Sequence, residues 1–276
     1  MGLRQAEAPR LVLDIGNTTT TIAVFRDSPD PLVERLSSSV FADPAVVAET
    51  FGKLSADYGP FCEAAICSVV PDIAARCADV IGSVLALPVL TIGSGLSLPF
   101  TLRYENSHAF GADRIALCAW SASLFPNKAH IAVDIGTAIT FDVLDSKGEY
   151  VGGLIMPGLD VMSGALHSRT AQLPLVTIDR RTALLGRSTG ECIRSGIFWG
   201  TVKQVEGLID EIGGYLLGEL GEAEVGVIAT GGNSRLIAGE IDTIDVVDEL
   251  AVVRGIRLLL EMNPPGKQEM DEEDEV

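Results

Sequence analysis

The stretch Leu11-Val12-Leu13-Asp14-Ile15-Gly16-Asn17-Thr18 is echoed near the middle of the chain by Ile131-Ala132-Val133-Asp134-Ile135-Gly136-Thr137-Ala138. In each copy a short apolar run ends in Asp-Ile-Gly, crosses a tight turn and returns to β-rich composition, Thr19 to Phe25 in the first and Ile139 to Leu144 in the second. The grammar is strand, turn, strand, and its recurrence predicts an internally duplicated chain. Between the hairpins, Pro44 to Tyr58 and Pro71 to Leu87 have helical composition, while Ala64 to Val70 and Pro88 to Ile92 read as strands. After the second hairpin come a helix around Gly190 to Leu217, a strand at Val225 to Thr230 and a last helix at Leu250 to Asn263. The expected class is α/β: two units, each a mixed sheet led by a β-hairpin and flanked by helices. The expected division is an N-terminal extension over residues 1–10, domains over 11–115 and 116–263, and an acidic tail over 264–276.

A chain of 276 residues is long enough for two such cores. No apolar run reaches the roughly 18 residues of a membrane span, and Met1 to Arg10 lacks the apolar centre of a secretory signal, so a cytoplasmic protein is expected. The formal net charge of −18 argues against nucleic acid and anionic membranes as partners, because phosphate would be repelled. Part of it lies in Glu269 to Val276, which has almost nothing to bury. Cys62, Cys67, Cys77, Cys118 and Cys192 lack paired CxxC spacing and read as buried thiols. His108, His130 and His167 offer no metal-ligand spacing and receive no catalytic role.

An Asp followed by Gly and small hydroxyl residues in a strand-turn-strand is one way to hold a nucleotide phosphate. Gly16 lets backbone N–H groups approach phosphate oxygens, and the Thr18 to Thr21 hydroxyls can add hydrogen bonds. Asp14, ending its strand, would face the Mg²⁺ that accompanies the phosphates, directly or through water. Neither GxxxxGK[ST] nor GxGxxG follows the first strand, and both of those motifs lead into a helix rather than a strand. A third piece, Val227-Ile228-Ala229-Thr230-Gly231-Gly232-Asn233-Ser234, is an apolar strand ending in a Gly pair, against whose backbone an adenosine could lie flat.

Together these elements resemble the two phosphate motifs and the adenosine motif of the actin/sugar-kinase/Hsp70 superfamily, over most of the chain from Leu11 to about Glu261. More specific are Tyr104-Glu105-Asn106, Gly111-Ala112-Asp113-Arg114, Asp134 to Asp142, Gly152-Gly153-Leu154-Ile155-Met156-Pro157-Gly158-Leu159 and Thr170-Ala171-Gln172-Leu173-Pro174. This collinear series resembles type III pantothenate kinase, which phosphorylates pantothenate in the first step of coenzyme A synthesis. One departure is Ser107, where the family pattern has proline after its Tyr-x-Asn segment.

The resemblance implies two duplicated ribonuclease H-like domains, a homodimer, and ATP with Mg²⁺ plus a monovalent cation, K⁺ or NH₄⁺. It makes Asp113 the catalytic base and assigns the nucleotide to Asp14, Ile15, Gly16, Asn17, Thr18, Thr19, Thr20, Thr21 and Thr137. It gives the monovalent cation to Asp134. Pantothenate would meet Tyr104, Gly111, Ala112, Asp113, Arg114 and Thr189, with Thr189 acting across the dimer interface and the Arg114 fork suited to the substrate's oxygens. Read without the resemblance, Asp113 and Arg114 could be a surface ion pair at a helix start, Ser188 and Thr189 could be ordinary helix caps, and Tyr104 a packing residue. Two other classes compete: another phosphotransferase or hydrolase of the superfamily, and a regulatory protein that binds nucleotide without turnover.

Overall fold

The computed structural model describes residues 8–26 and 28–264. The expected N-terminal extension, apart from residues 8–10, and the expected acidic tail, apart from residue 264, lie outside them. The chain forms two compact units. One gathers the described residues of Met1–Leu98, Glu105–Trp120 and Val252–Val276; the other comprises Pro99–Tyr104 and Ser121–Ala251.

The first unit is built on β1 (Arg10–Ile15), β2 (Thr19–Phe25), β3 (Leu32–Ser37), β4 (Glu63–Ser68) and β5 (Val89–Thr91), in the order β3-β2-β1-β4-β5. β1 pairs antiparallel with β2 but parallel with β4, so the sheet is mixed. Its helices are α1 (Pro44–Tyr58) and α2 (Pro71–Val80). Helix α1 starts where the sequence says it should: Pro44 has no N–H to leave unpaired, and Asp43 Oδ1 accepts the Ala45 N–H at 2.9 Å. Leu11, Leu13 and Ile15 on β1 pack with Phe41, Val47, Phe51 and Ile66 in its core. Helix α3 (Ala112–Leu124) contributes its first turns to this unit, and α7 (Ala251–Met262) nearly all of its length. A Cβ on Gly255 would stand 1.8 Å from the Ala116 carbonyl oxygen, so the two helix backbones touch at a residue that must be glycine.

The second unit repeats the plan. Strands β6 (Ala129–Ile135), β7 (Ala138–Leu144), β8 (Tyr150–Pro157), β9 (Val225–Thr230) and β10 (Val246–Val247) lie in the order β10-β9-β6-β7-β8. Read from the other edge, this is the first sheet's order, with the same antiparallel hairpin and parallel neighbour. Helices α4 (Leu159–Arg169), α5 (Thr189–Gly218) and the short α6 (Ser234–Ala238) accompany it. The expected duplication is therefore present in topology as well as in sequence.

The cysteine expectation needs correction. Cys67, Cys77 and Cys118 are buried, but Cys62 and Cys192 are exposed, one just ahead of β4 and the other in the first turn of α5. Apolar neighbours in sequence did not make those two positions internal.

Candidate functional site

In the first unit the turn between β1 and β2 carries the candidate phosphate residues. Its backbone closes through Gly16 N–H to the Thr19 carbonyl at 3.0 Å, and Ser38 supports it from below. The Ser38 hydroxyl donates to the Gly16 carbonyl at 2.6 Å, and its N–H donates to the Thr18 carbonyl at 3.0 Å. Thr20 is fully buried with its Oγ1 3.0 Å from Ser38 Oγ, so it serves the turn from inside the fold. Ile15 is also core, its carbonyl accepting the Val69 N–H at 3.2 Å. Asn17, Thr18 and Thr19 are exposed, Asp14, Gly16 and Thr21 half-buried. The turn thus offers solvent its middle, while its ends are tied to the sheet.

Asp113 is the second residue of α3 and half-buried. Its Oδ1 accepts the Arg114 N–H at 2.8 Å. Burial pushes its carboxyl above the ordinary carboxylate range, and the Arg114 N–H and guanidinium hold back only part of that rise. A Cβ on Gly111 would stand 2.5 Å from Asp113 Oδ1, so the carboxylate packs against Gly111 more closely than any side chain there would allow. Arg114 is 8% exposed, so it lies beneath the surface, with its guanidinium 4.3 Å from the Phe110 ring centroid. The thiol of Cys67, paired with Asp14 across β1 and β4, lies within electrostatic reach of both Asp14 and Asp113. Burial chiefly, and those two carboxylates next, push it well above its ordinary range. Asp14 and Asp113, far apart in sequence, are therefore brought around one neutral thiol.

In the second unit Asp134 occupies the place of Asp14. Its turn closes through Gly136 N–H to the Ala138 carbonyl at 3.0 Å. Two glycines press on it. The Gly158 N–H donates to the Thr137 carbonyl at 2.9 Å, and a Cβ there would stand 2.1 Å from the Gly136 carbonyl oxygen. Gly231, at φ +96°, would put a Cβ 2.3 Å from Asp134 Oδ1. The exposed Thr137 lies at the tip. Tyr104, also in this unit, is 42% exposed, its ring centroid 6.1 Å from that of buried Tyr150. Thr189 is the exposed first residue of α5, whose cap is Ser188, accepting the Glu191 N–H at 3.3 Å.

The sequence carries no sign of the roles of Ser38 and Tyr150, marks Cys67 only as a buried thiol, and shows Gly158 only as part of the Gly152 to Leu159 motif. Ser38 sits in an ordinary Ser-Ser-Ser run and Cys67 in an apolar strand, and neither carries a local signal of its partner.

A mixed sheet in two copies, each with an Asp-Ile-Gly turn at the end of its first strand, defines a member of the actin/sugar-kinase/Hsp70 architecture. Solved structures agree on the fold. A putative Baf family transcriptional activator from Campylobacter jejuni superposes with a TM-score of 0.54 at 19% identity, covering 92% of this chain and 98% of that one. Component A of (R)-2-hydroxyglutaryl-CoA dehydratase from Acidaminococcus fermentans gives 0.51 at 13% identity, covering 91% and 97%. The family model described as type III pantothenate kinase matches residues 10–211. The chain is 58% identical over 265 residues to the type III pantothenate kinase of Chlorobaculum tepidum, covering 96% of this chain and 98% of that protein. It is 34% identical to the protein of that name from Moorella thermoacetica, covering 92% and 99%. The chain belongs to the type III pantothenate kinase family.

Proposed function

We propose that this protein transfers the γ-phosphoryl group of ATP to the hydroxyl of pantothenate, giving 4′-phosphopantothenate and ADP at the entry to coenzyme A synthesis in the cytoplasm. The observation that carries the reading is near-full-length identity of 58% to a protein named for that activity. Among the described residues no helix is long and apolar enough to cross a membrane.

The exposed middle of the turn, Asn17 to Thr19, meets the phosphates with backbone N–H groups and the Thr18 and Thr19 hydroxyls, while the Gly16 N–H closes the turn on the Thr19 carbonyl. Asp113 accepts the proton of the attacking hydroxyl as the new O–P bond forms and ADP leaves. Its raised pKa suits a base, because a carboxylate closer to the working pH takes a proton more readily. Arg114, packed on Phe110, presents a fixed fork to substrate oxygens.

No cluster of three or more His, Cys, Asp or Glu fit to hold a metal occurs among the described residues. Asp14, half-buried at the end of β1, would hold Mg²⁺ together with phosphates and water, since Mg²⁺ keeps much of its hydration. When bound it neutralises charge on the phosphate oxygens. For the monovalent cation the assignment rests on the Asp134 carboxylate, an oxygen donor suited to such an ion, against which Gly231 packs so closely that a Cβ would stand 2.3 Å from Oδ1. Tyr104 and Thr189 complete the hold on pantothenate, Thr189 from a second copy of the chain. The exposed Ile155, Leu175, Leu184 and Leu185 are apolar surface that a homodimer would cover.

The test is ADP release measured with pantothenate supplied or omitted, in Mg²⁺ with K⁺, NH₄⁺ or Na⁺. Pantothenate-dependent release in K⁺ or NH₄⁺, sharply reduced in Na⁺, is expected. Release independent of pantothenate would make the protein a hydrolase, and equal rates in all salts would remove the role given to Asp134.

A further inference from the structure

Asp142 is a wholly buried carboxyl in β7 that the reaction above does not use. The duplication sharpens the question of what it is for. Asp142 is the fifth residue of β7, opposite Ala132; the fifth residue of β2, in the same register opposite Val12, is the buried Ala23. The fold thus accepts an alanine at this position, and a carboxyl there must be kept for a specific partner, because burial of an unpaired one is costly.

That partner is Tyr150, 3% exposed, whose hydroxyl donates to Asp142 Oδ1 at 3.0 Å. Tyr150 opens β8 and is the point where the segment bearing Tyr104 is fastened. Thr101 N–H donates to the Gly148 carbonyl at 2.8 Å, and Tyr150 N–H donates to the Thr101 carbonyl at 2.9 Å. Arg103 reaches Glu149 at 2.6 Å. The Tyr104 ring then meets the Tyr150 ring edge to face, at 71° between planes. Each step fixes the next: a buried carboxyl sets a phenol, and the phenol's ring sets a half-exposed tyrosine.

We propose that Tyr150, anchored by Asp142, is a positioning residue that holds Tyr104 against pantothenate. This rests on the reading of Tyr104 as a substrate contact. Tyr150→Leu, which removes ring and hydroxyl, is expected to raise the KM for pantothenate about 3- to 10-fold, the range an edge-to-face aromatic pair is worth, with the KM for ATP unchanged. Tyr150→Phe keeps the ring but frees it from Asp142, and a rise of about 2- to 3-fold is expected. Wild-type pantothenate KM in Tyr150→Leu, whatever its thermal midpoint, would overturn the positioning role. The same result in Tyr150→Phe would overturn the anchoring by Asp142, and that variant also carries the test if the leucine variant fails to fold. Tyr104→Ala, assayed in parallel, separates the two premises. If it raises the pantothenate KM while the Tyr150 variants do not, positioning fails; if it too is silent, the substrate reading of Tyr104 fails and this inference with it.

Discussion

The two Asp-Ile-Gly turns are the same device supported in opposite ways. The first runs from Ile15 to Thr19 and is one residue longer than the second, from Ile135 to Ala138. It is held by hydroxyls, Ser38 and Thr20 beneath it and Ser68, whose Oγ is 3.4 Å from the Ile15 carbonyl oxygen. Against the second, backbone packs directly, with Gly158 and Gly231 lying so close that neither has room for a methyl group. Hydroxyl support can be lost one hydrogen bond at a time. Glycine support fails only by moving the chain. The duplicated motif is thus braced by side-chain hydroxyls at its first copy and by close-packed glycine backbone at its second.

The largest effect is expected at Asp113, which belongs to the same unit as the first turn. Asp113→Asn keeps the acceptor for the Arg114 N–H but loses the base, so kcat in a single-turnover assay should fall by about 10²- to 10⁴-fold. Burial raises the Asp113 pKa, so ionising this group costs stability as pH rises through its folded value. The inactive variant should therefore be at least as stable as the parent at neutral pH, measured by urea unfolding.

A sharper comparison comes from adding one methyl group to each turn. Gly158→Ala and Gly231→Ala must displace backbone, at a cost of about 1 to 3 kcal/mol or more in urea unfolding, and Gly231→Ala should also raise the K⁺ concentration needed for half-maximal rate. Gly16→Ala, where the Cβ would stand 3.0 Å from the Thr19 carbonyl oxygen, should cost less. Equal losses at all three would erase the distinction. Next in size is Ser38→Ala, which leaves Gly16 and Thr20 short of a partner and should cost about 1 to 2 kcal/mol.

The smallest effect expected is a pH dependence in the second unit. His130 Nδ1 donates to the Lys128 carbonyl at 2.9 Å, and burial lowers its pKa below the ordinary 6.5. A depressed histidine contributes stability that is present above 6.5 and lost as pH falls toward its folded value, because the unfolded chain then binds the extra proton. His130→Gln should flatten the unfolding free energy between pH 7 and 5.

Much of this molecule was legible because its signals are local. The hairpins announce themselves by alternating runs and Asp-Ile-Gly, and α1 by Asp43 and Pro44. Strand β3 escaped because all but one of its residues are exposed, leaving Leu-Val-Glu-Arg-Leu-Ser without a buried face to read. The glycine buttresses escaped because the sequence marks that a glycine is present and not what presses on it. Tyr150 and Asp142 escaped for a related reason, since a hydrogen bond between neighbouring strands leaves no trace in the spacing of either residue. The assignment of α7 to the first unit is a long-range packing fact that chain order hides.

That last fact bears on how the protein is made. A ribosome releases β1 to β5 first, yet Val253, Ile256, Leu259 and Leu260 of α7, and the Gly255 contact with Ala116, arrive only after the whole second unit has been made. The second unit can close while α7 is emerging, but the first must wait with an uncovered helix face until α7 is free. The part of the protein begun earliest is finished last. A stop codon ahead of Ala251 would thus spare the later-made unit and strand the earlier one.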